Sequence, residues 1–185
     1  MPRTTTLAVL ASLILGVTAQ TLPVPPYKCP KGQFIVGGNA NWALTGSTYD
    51  VAERFMSDFC GASIGNTAVN CTGDALGSTR RVLQANGVYI TEQLQSLTCE
   101  HGALAQVVIS NDPDAYDEGT WTYHDYSHLS DIQVYNNHST GALSMSMTTH
   151  KCVSNATMGE TAVAGLLVKA QAYYTSAIAN ATQAQ

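Results

Sequence analysis

The chain has 185 residues, 45% of them hydrophobic, with 13 acidic and 8 basic side chains and a formal charge of −5. That length supports one domain with its own core. No Lys or Arg stands between Arg81 and Lys151, where Asp112, Asp114, Asp117, Glu118, Asp125 and Asp131 crowd together; a phosphate backbone needs a basic stripe, so this pattern argues against nucleic acid and against docking on anionic lipid.

The N-terminus reads as a secretory signal peptide over residues 1–19. Arg3 supplies the positive start, Leu7 to Val17 is an apolar stretch too short to span a bilayer, and Val17-Thr18-Ala19 is a small-x-small cleavage pattern before Gln20. Losing Arg3 makes the mature charge −6. No later run reaches the roughly 18 to 20 apolar residues of a membrane helix, so no membrane insertion is expected, and the address is the secretory lumen or the exterior. Residues 20–32 form an extended, proline-rich leader, and 33–185 form a single domain without internal repeats.

Gln33 to Val36 reads as a first strand, running toward Leu44. Val51, Phe55 and Phe59 then recur at helical spacing after Ser47 and Asp50, with Gly61 and Gly65 closing that helix. Ser78–Ala85 and Val88–Leu97 are strands around Asn86-Gly87, a strong hairpin pattern. Ala103–Ser110 is a further strand, Asn111 to Asp125 a long loop, and Tyr126–Tyr135 with Ala142–Val153 another strand pair. Thr157 to Glu160 has the form of a capping box, followed by an amphipathic helix of roughly 20 residues through Val163, Leu166, Leu167, Ala170, Tyr174, Ala177 and Ile178. The fold class is α+β: an antiparallel meander curved around a long terminal helix.

All five cysteines (Cys29, Cys60, Cys71, Cys99 and Cys152) fall after the cleavage site. In an oxidising compartment they give two disulfides and one leftover thiol. Asn70, Asn137, Asn155 and Asn180 each open an Asn-x-Ser/Thr sequon and are candidate glycan sites.

Gly73-Asp74-Ala75-Leu76-Gly77-Ser78-Thr79-Arg80, followed by Gly87-Val88-Tyr89-Ile90-Thr91-Glu92, resembles the START-like superfamily, also called SRPBCC or polyketide cyclase/dehydratase-like. The resemblance covers roughly residues 33 to 180. It implies a helix-grip fold, a sheet of about six or seven strands holding the C-terminal helix over an apolar cavity that takes lipids, polyketides, terpenoids or hormones. It also implies that the first strand lies beside the last, which suggests Cys29–Cys152 and Cys60–Cys71 as the disulfides with Cys99 free. The signal peptide, cysteines and sequons depart from the common pattern of the group. In that respect the chain is similar to secreted fungal members that resemble cyclases or pericyclases of the hetero-Diels–Alder type.

Glu92 shares its strand face with Val88, Ile90 and Leu94, where a carboxylate is costly unless paired; Arg80 and Arg81 are the nearest cations. The pair either braces a pocket wall or orients a polar ligand atom and stabilises developing oxyanion charge. Tyr123, His124, Asp125, Tyr126 and His128 form a second candidate group for acid–base work, or a polar loop with aromatic anchors. The His-x-Asp-x-x-x-His spacing lacks a matching ligand cluster, so no metal is expected. Trp121, Tyr123 and Tyr126 could grip flat ligands at a cavity mouth. Met145 and Met147, with Leu143, share a face that suits either irregular apolar ligands or plain core. Of Tyr173 and Tyr174, only one can face the interior squarely.

The leading reading is a cofactor-free cavity protein that promotes cyclisation, cycloaddition or dehydration of an apolar small molecule. Holding a reactive conformer can by itself be worth roughly 7 to 11 kcal/mol. A non-catalytic secreted carrier or host-interaction protein has the same sequence signature. A ribonuclease-like effector, prompted by Tyr27-Lys28-Cys29, fits the acidic composition poorly.

Overall fold

The computed structural model describes residues 29–61, 68–83, 89–100, 102–110, 115–117, 122–137 and 140–184, with backbone alone at 115–117, 122–132 and 137. The elements run β1 (Phe34–Ala43), α1 (Tyr49–Ser57), β2 (Ala68–Val69), β3 (Thr79–Leu83), β4 (Tyr89–Glu100), β5 (Ala103–Ser110), β6 (Ala115–Asp117), β7 (Thr122–Asn137), β8 (Ala142–Val153) and α2 (Ala156–Gln183). The strands lie in the order β1-β8-β7-β5-β4-β3-β2, all antiparallel, with β6 paired to β7 off this path. The curved sheet and its long C-terminal helix have the arrangement expected of a helix-grip fold.

Alternation sets the faces. Along β8, Leu143, Met145 and Met147 are buried while Ala142 and Ser144 are exposed. Directly opposed residues in an antiparallel pair share a face, so burial propagates across the sheet from Trp42 to Met145, Val134 and Leu104. Against this floor α2 turns Val163, Leu167, Ala170, Tyr174 and Ile178, one stripe at helical spacing.

The helix does not sit midway over the sheet. Its backbone approaches β1, β8 and α1, because Gly38 has no Cβ to block it: one added there would stand 2.9 Å from both Leu167 Cδ1 and Val163 Cγ1. Gly159 gives the same close approach to Val153. Among the described residues, α2 reaches the β3–β5 side through side chains, with Val82, Ile90 and Leu104 in the same core cluster as Tyr174 and Ile178. Helix and sheet therefore meet as a wedge whose closed side is β1.

Several elements differ from the sequence reading. Helix α1 stops at Ser57, so Phe59 lies beyond it in a turn where the Asp58 carboxylate accepts from Gly61 N at 2.8 Å. Phe59 is nonetheless fully buried, which is why its spacing mimicked a helical position. Part of the expected loop 111–125 is strand: β6 pairs with the early part of β7, which begins at Thr122. The last helix has 28 residues rather than about 20, and its cap is Asn155, whose Oδ1 accepts from Met158 N at 3.2 Å. Thr157 is already helical, so the expected capping box does not form.

Two disulfides pin the ends of this framework. Cys29–Cys152 ties the residues before β1 to β8, and Cys60–Cys71 ties the turn after α1 to the segment leading into β3. Cys99 remains a free thiol on β4. The expected signal peptide and most of the leader lie outside the described residues. No helix among the described residues is long and apolar enough to cross a membrane.

Candidate functional site

The most unusual chemistry in the core begins at the turn before β3. Gly73 (φ 128°) and Gly77 (φ 84°) hold backbone conformations that side chains disfavour. Between them Asp74 Oδ1 accepts from Cys60 N at 3.2 Å, and Ser78 N donates to Ala75 O at 2.9 Å. Gly77 N then donates to Leu94 O, and Leu94 N donates to Ser78 O, which clamps the turn onto β4. The Gly-Asp-x-x-Gly-Ser-x-Arg pattern is therefore a device that starts β3 in one register, and that register turns Arg80 inward.

Arg80 is 5% exposed. Its Nε donates to Glu92 Oε2 at 2.7 Å from the neighbouring strand, and its Nη1 donates to the Phe59 carbonyl. The guanidinium also lies 4.3 Å from the Phe59 ring centroid, a favourable cation–π distance. Arg80, Glu92 and Ser110 are successive cross-strand neighbours on β3, β4 and β5, so they form one polar row on the inner face. Gln106, four residues before Ser110 on the same face of β5, is also buried, and its Nε2 donates to Met56 O at 3.0 Å. Two buried polar side chains of the sheet thus hold the end of α1, which packs Phe59 against Leu94 and Val108.

Tyr174 descends on this row from α2. It is 1% exposed. Burial pushes its phenol above the usual tyrosine range; the Arg80 cation draws it partly back, and the Glu92 carboxylate adds to the rise. The phenol is therefore neutral near pH 7, a donor close enough to feel both members of the ion pair. Tyr173, half-buried, has its ring 6.4 Å from Phe55; burial raises its phenol as well, and the Arg80 cation draws it partly back. Of the two candidates, Tyr174 is the one that faces the interior.

Arg80 and Glu92 are thus brought together as a buried ion pair, and Tyr174 is buried in the core cluster that holds Val82 and Ile90, two residues along the same strands. Met145 and Met147 are buried on the same face, in the floor under α2. Trp121 lies outside the described residues, and so do the side chains of Tyr123, His124, Tyr126 and His128, whose backbone belongs to β7. No cluster of three metal-ligating side chains occurs among the described residues. Asn70, Asn155 and Asn180 are exposed, while the side chain of Asn137 lies outside the described set.

Reading the sequence passed over Phe59 as a plain core residue and did not single out Ser110, Gln106 or Trp42. Alternation along β5 carried a usable signal, because Gln106 and Ser110 fall on the Leu104–Val108 face. Nothing local marked the Phe59 carbonyl, which becomes a ligand for Arg80 only through the tertiary turn.

No protein-family model and no characterised protein sequence matches the chain. Solved structures do. An uncharacterised protein of Bacillus thuringiensis superposes with a TM-score of 0.54 at 12% identity, over 77% of this chain and 98% of that one. Norcoclaurine synthase from Thalictrum flavum, in complex with dopamine and hydroxybenzaldehyde, superposes with a TM-score of 0.50 at 12% identity, over 80% and 88%. At this identity the likeness speaks for a shared fold. It agrees with the START-like resemblance of the Gly73–Arg80 turn.

Proposed function

We propose that the space between α2 and the inner face of the sheet, from Trp42 on β1 across to Arg80 on β3, is a hollow for an apolar small molecule, and that the chain is a cofactor-free cyclase or pericyclase of natural-product chemistry. The observation that carries this is the Arg80–Glu92 ion pair buried on the inner face of the sheet, beside the largely apolar cluster that also holds Tyr174. Burying an ion pair is seldom the most stable choice, since well-packed apolar residues often do as well or better. A site retained at that cost offers three oriented groups to a ligand. Arg80 and neutral Tyr174 would donate hydrogen bonds, and Glu92 would fix the guanidinium plane.

For a hetero-Diels–Alder addition the chemistry balances without a co-reactant. An ortho-quinone methide supplies its exocyclic carbon and its oxygen, an alkene supplies two carbons, one C–C and one C–O bond form, and nothing leaves. Electron density that builds on the quinone methide oxygen would be stabilised by Arg80 and Tyr174; one well-placed donor of this kind contributes about 3–4 kcal/mol in enzymes that hold oxyanions. The apolar floor of Met145 and Met147 would hold the two partners in a reactive conformer. A solved neighbour named as a synthase, in complex with two small aromatic compounds, supports a fold that can accommodate such reactants.

The same reading places the protein in a secretory pathway, cleaved after Ala19 and folded as one domain over 33–185. Two disulfides suit an oxidising compartment, and Asn70, Asn155 and Asn180 are exposed for glycan attachment. A second reading, a secreted carrier without turnover, draws on the fact that Arg80 is already satisfied by Glu92 and Phe59.

The test is incubation of the purified protein with a thermally generated ortho-quinone methide and an electron-rich alkene, followed by chiral analysis of the adduct. Enantiomerically enriched adduct from the parent, formed at least tenfold more slowly by the stably folded Arg80→Met, Glu92→Leu double variant, supports the pericyclase reading. Ligand binding with only racemic background product supports the carrier. Absence of both binding and product removes the hollow itself.

A further inference from the structure

Trp42 presents a second, unexplained polar group to this interior. The residue is 7% exposed, and its Nε1 is buried without a hydrogen-bond partner. An indole N–H taken out of water and left unpaired destabilises a fold, and native proteins seldom keep one without a reason. A phenylalanine would fill much of the same space with no donor to satisfy.

The position of Trp42 relative to the Arg80 site follows from two contacts of α2. Gly38 on β1 meets Val163 and Leu167, and further on Thr182 Oγ1 donates to Ser47 Oγ at 2.8 Å. Strand β1 and helix α2 therefore run side by side in the same direction. From Leu167 to Tyr174 the helix advances about 10 Å at 1.5 Å per residue. Three to four strand residues, at about 3.3 Å each, cover the same length, which leads from Gly38 to the level of Trp42. Trp42 and Tyr174 thus stand at one height along the wedge. Between their walls runs the apolar row from Trp42 through Met145 and Val134 to Leu104.

We infer that Trp42 is a specificity-determining residue whose indole N–H donates to an acceptor oxygen of the bound molecule, at the end remote from Arg80 and Glu92. The ligand class is then a flat, largely apolar ring compound with oxygen at both ends: a carbonyl, ether or hydroxyl toward Trp42, and the reacting oxygen toward Arg80. Hydrocarbons of the same shape would fill the hollow but leave the indole unsatisfied, so the site would discriminate against them. This inference rests on the hollow proposed above.

The test uses a matched pair of probes, 9-fluorenone and fluorene, which share a ring skeleton and differ by the ketone oxygen. Affinities are measured by titration calorimetry on the full mature chain and on its Trp42→Phe variant. The intact protein should prefer fluorenone by roughly tenfold, in line with one net hydrogen bond. Trp42→Phe should abolish that preference while changing fluorene affinity by no more than about twofold. A second readout needs no variant at position 42. Of the two indole N–H resonances of the intact chain, that of Trp42, assigned through its backbone by triple-resonance NMR, should move downfield with fluorenone and stay in place with fluorene. Binding of both probes without preference, or an unmoved indole resonance in the fluorenone complex, overturns the role of Trp42 and leaves the hollow standing. Binding of neither probe overturns the hollow and this inference together.

Discussion

Removing Arg80 should be one of the most damaging single changes in the core. Arg80→Ala leaves the Glu92 carboxylate, whose side chain is 12% exposed, without its cation, and frees the Phe59 carbonyl from its donor. Breaking a buried pair from one side costs about 3–5 kcal/mol. For a domain of this size each kcal/mol moves the melting temperature by about 2–4 °C, so the loss should be roughly 6–20 °C. Since whole domains are stable by only about 5–15 kcal/mol, the variant would be marginal. Glu92→Leu should cost a similar amount, because it strands the guanidinium. The double variant Arg80→Met with Glu92→Leu removes both charges, and it should recover to within about 1 kcal/mol of the parent. Urea unfolding of the parent, Arg80→Met, Glu92→Leu and the double variant closes a cycle and gives the coupling directly. If the pair serves only the fold, the double variant keeps ligand binding; if it serves the ligand, stability returns and binding does not. Single variants that lose less than about 1 kcal/mol, or a double variant equal to their sum, would refute the claim that this pair is buried and coupled.

Three further outcomes follow from the packing. Gly38→Ala should destabilise by about 1–3 kcal/mol, because its Cβ would stand 2.9 Å from Leu167 Cδ1 and Val163 Cγ1 and the helix must lift; a neutral result in urea unfolding would mean that α2 is not seated on β1. Asn155→Gln should cost about 1 kcal/mol, since it removes the cap to Met158 N, whereas Thr157→Ala abolishes the same sequon and should be nearly neutral; both should lose the same glycan by mass spectrometry if Asn155 is occupied. Stability should also fall as pH rises past 10. Buried Tyr174 keeps its proton in the folded state above the pH where an unfolded tyrosine releases it, so the unfolded chain binds fewer protons there. Tyr174→Phe should reduce that alkaline slope by up to about 1.4 kcal/mol per pH unit, and an unchanged slope would show the phenol to be titrating freely.

Much of the framework was legible in the residues because it rests on local periodicity. Strand β5 and strand β8 fall at the expected bounds, Ala103–Ser110 and Ala142–Val153. The inward face of Glu92 followed from alternation with Ile90 and Leu94, and the hairpin left Arg80 and Arg81 as its nearest cations, between which the register of β3 chose Arg80. The misjudged features share another cause. Phe59 kept helical spacing after the helix had ended, since burial constrains hydrophobicity and not backbone shape. The strand β6 was hidden in an acidic, aromatic stretch that owes its pairing to β7. Asn155 was read as a sequon, and its second role as helix cap was taken by a plausible Thr157 pattern three bonds of logic away from the true start of α2.

Chain chemistry alone determined that two disulfides and one spare thiol were to be expected, the acidic balance, the order of strands and the helix that closes them, because each depends on residue type or on repeats a few residues long. Only the folded arrangement decided which tyrosine is fully buried, that a main-chain oxygen at Phe59 shares the Arg80 guanidinium, and that Trp42 is left with an unanswered N–H. Those facts arise where segments distant in the sequence meet at Gly38 and at the Cys60–Cys71 clamp. Contact across such separations is set by shape and close packing, which no short window of sequence encodes.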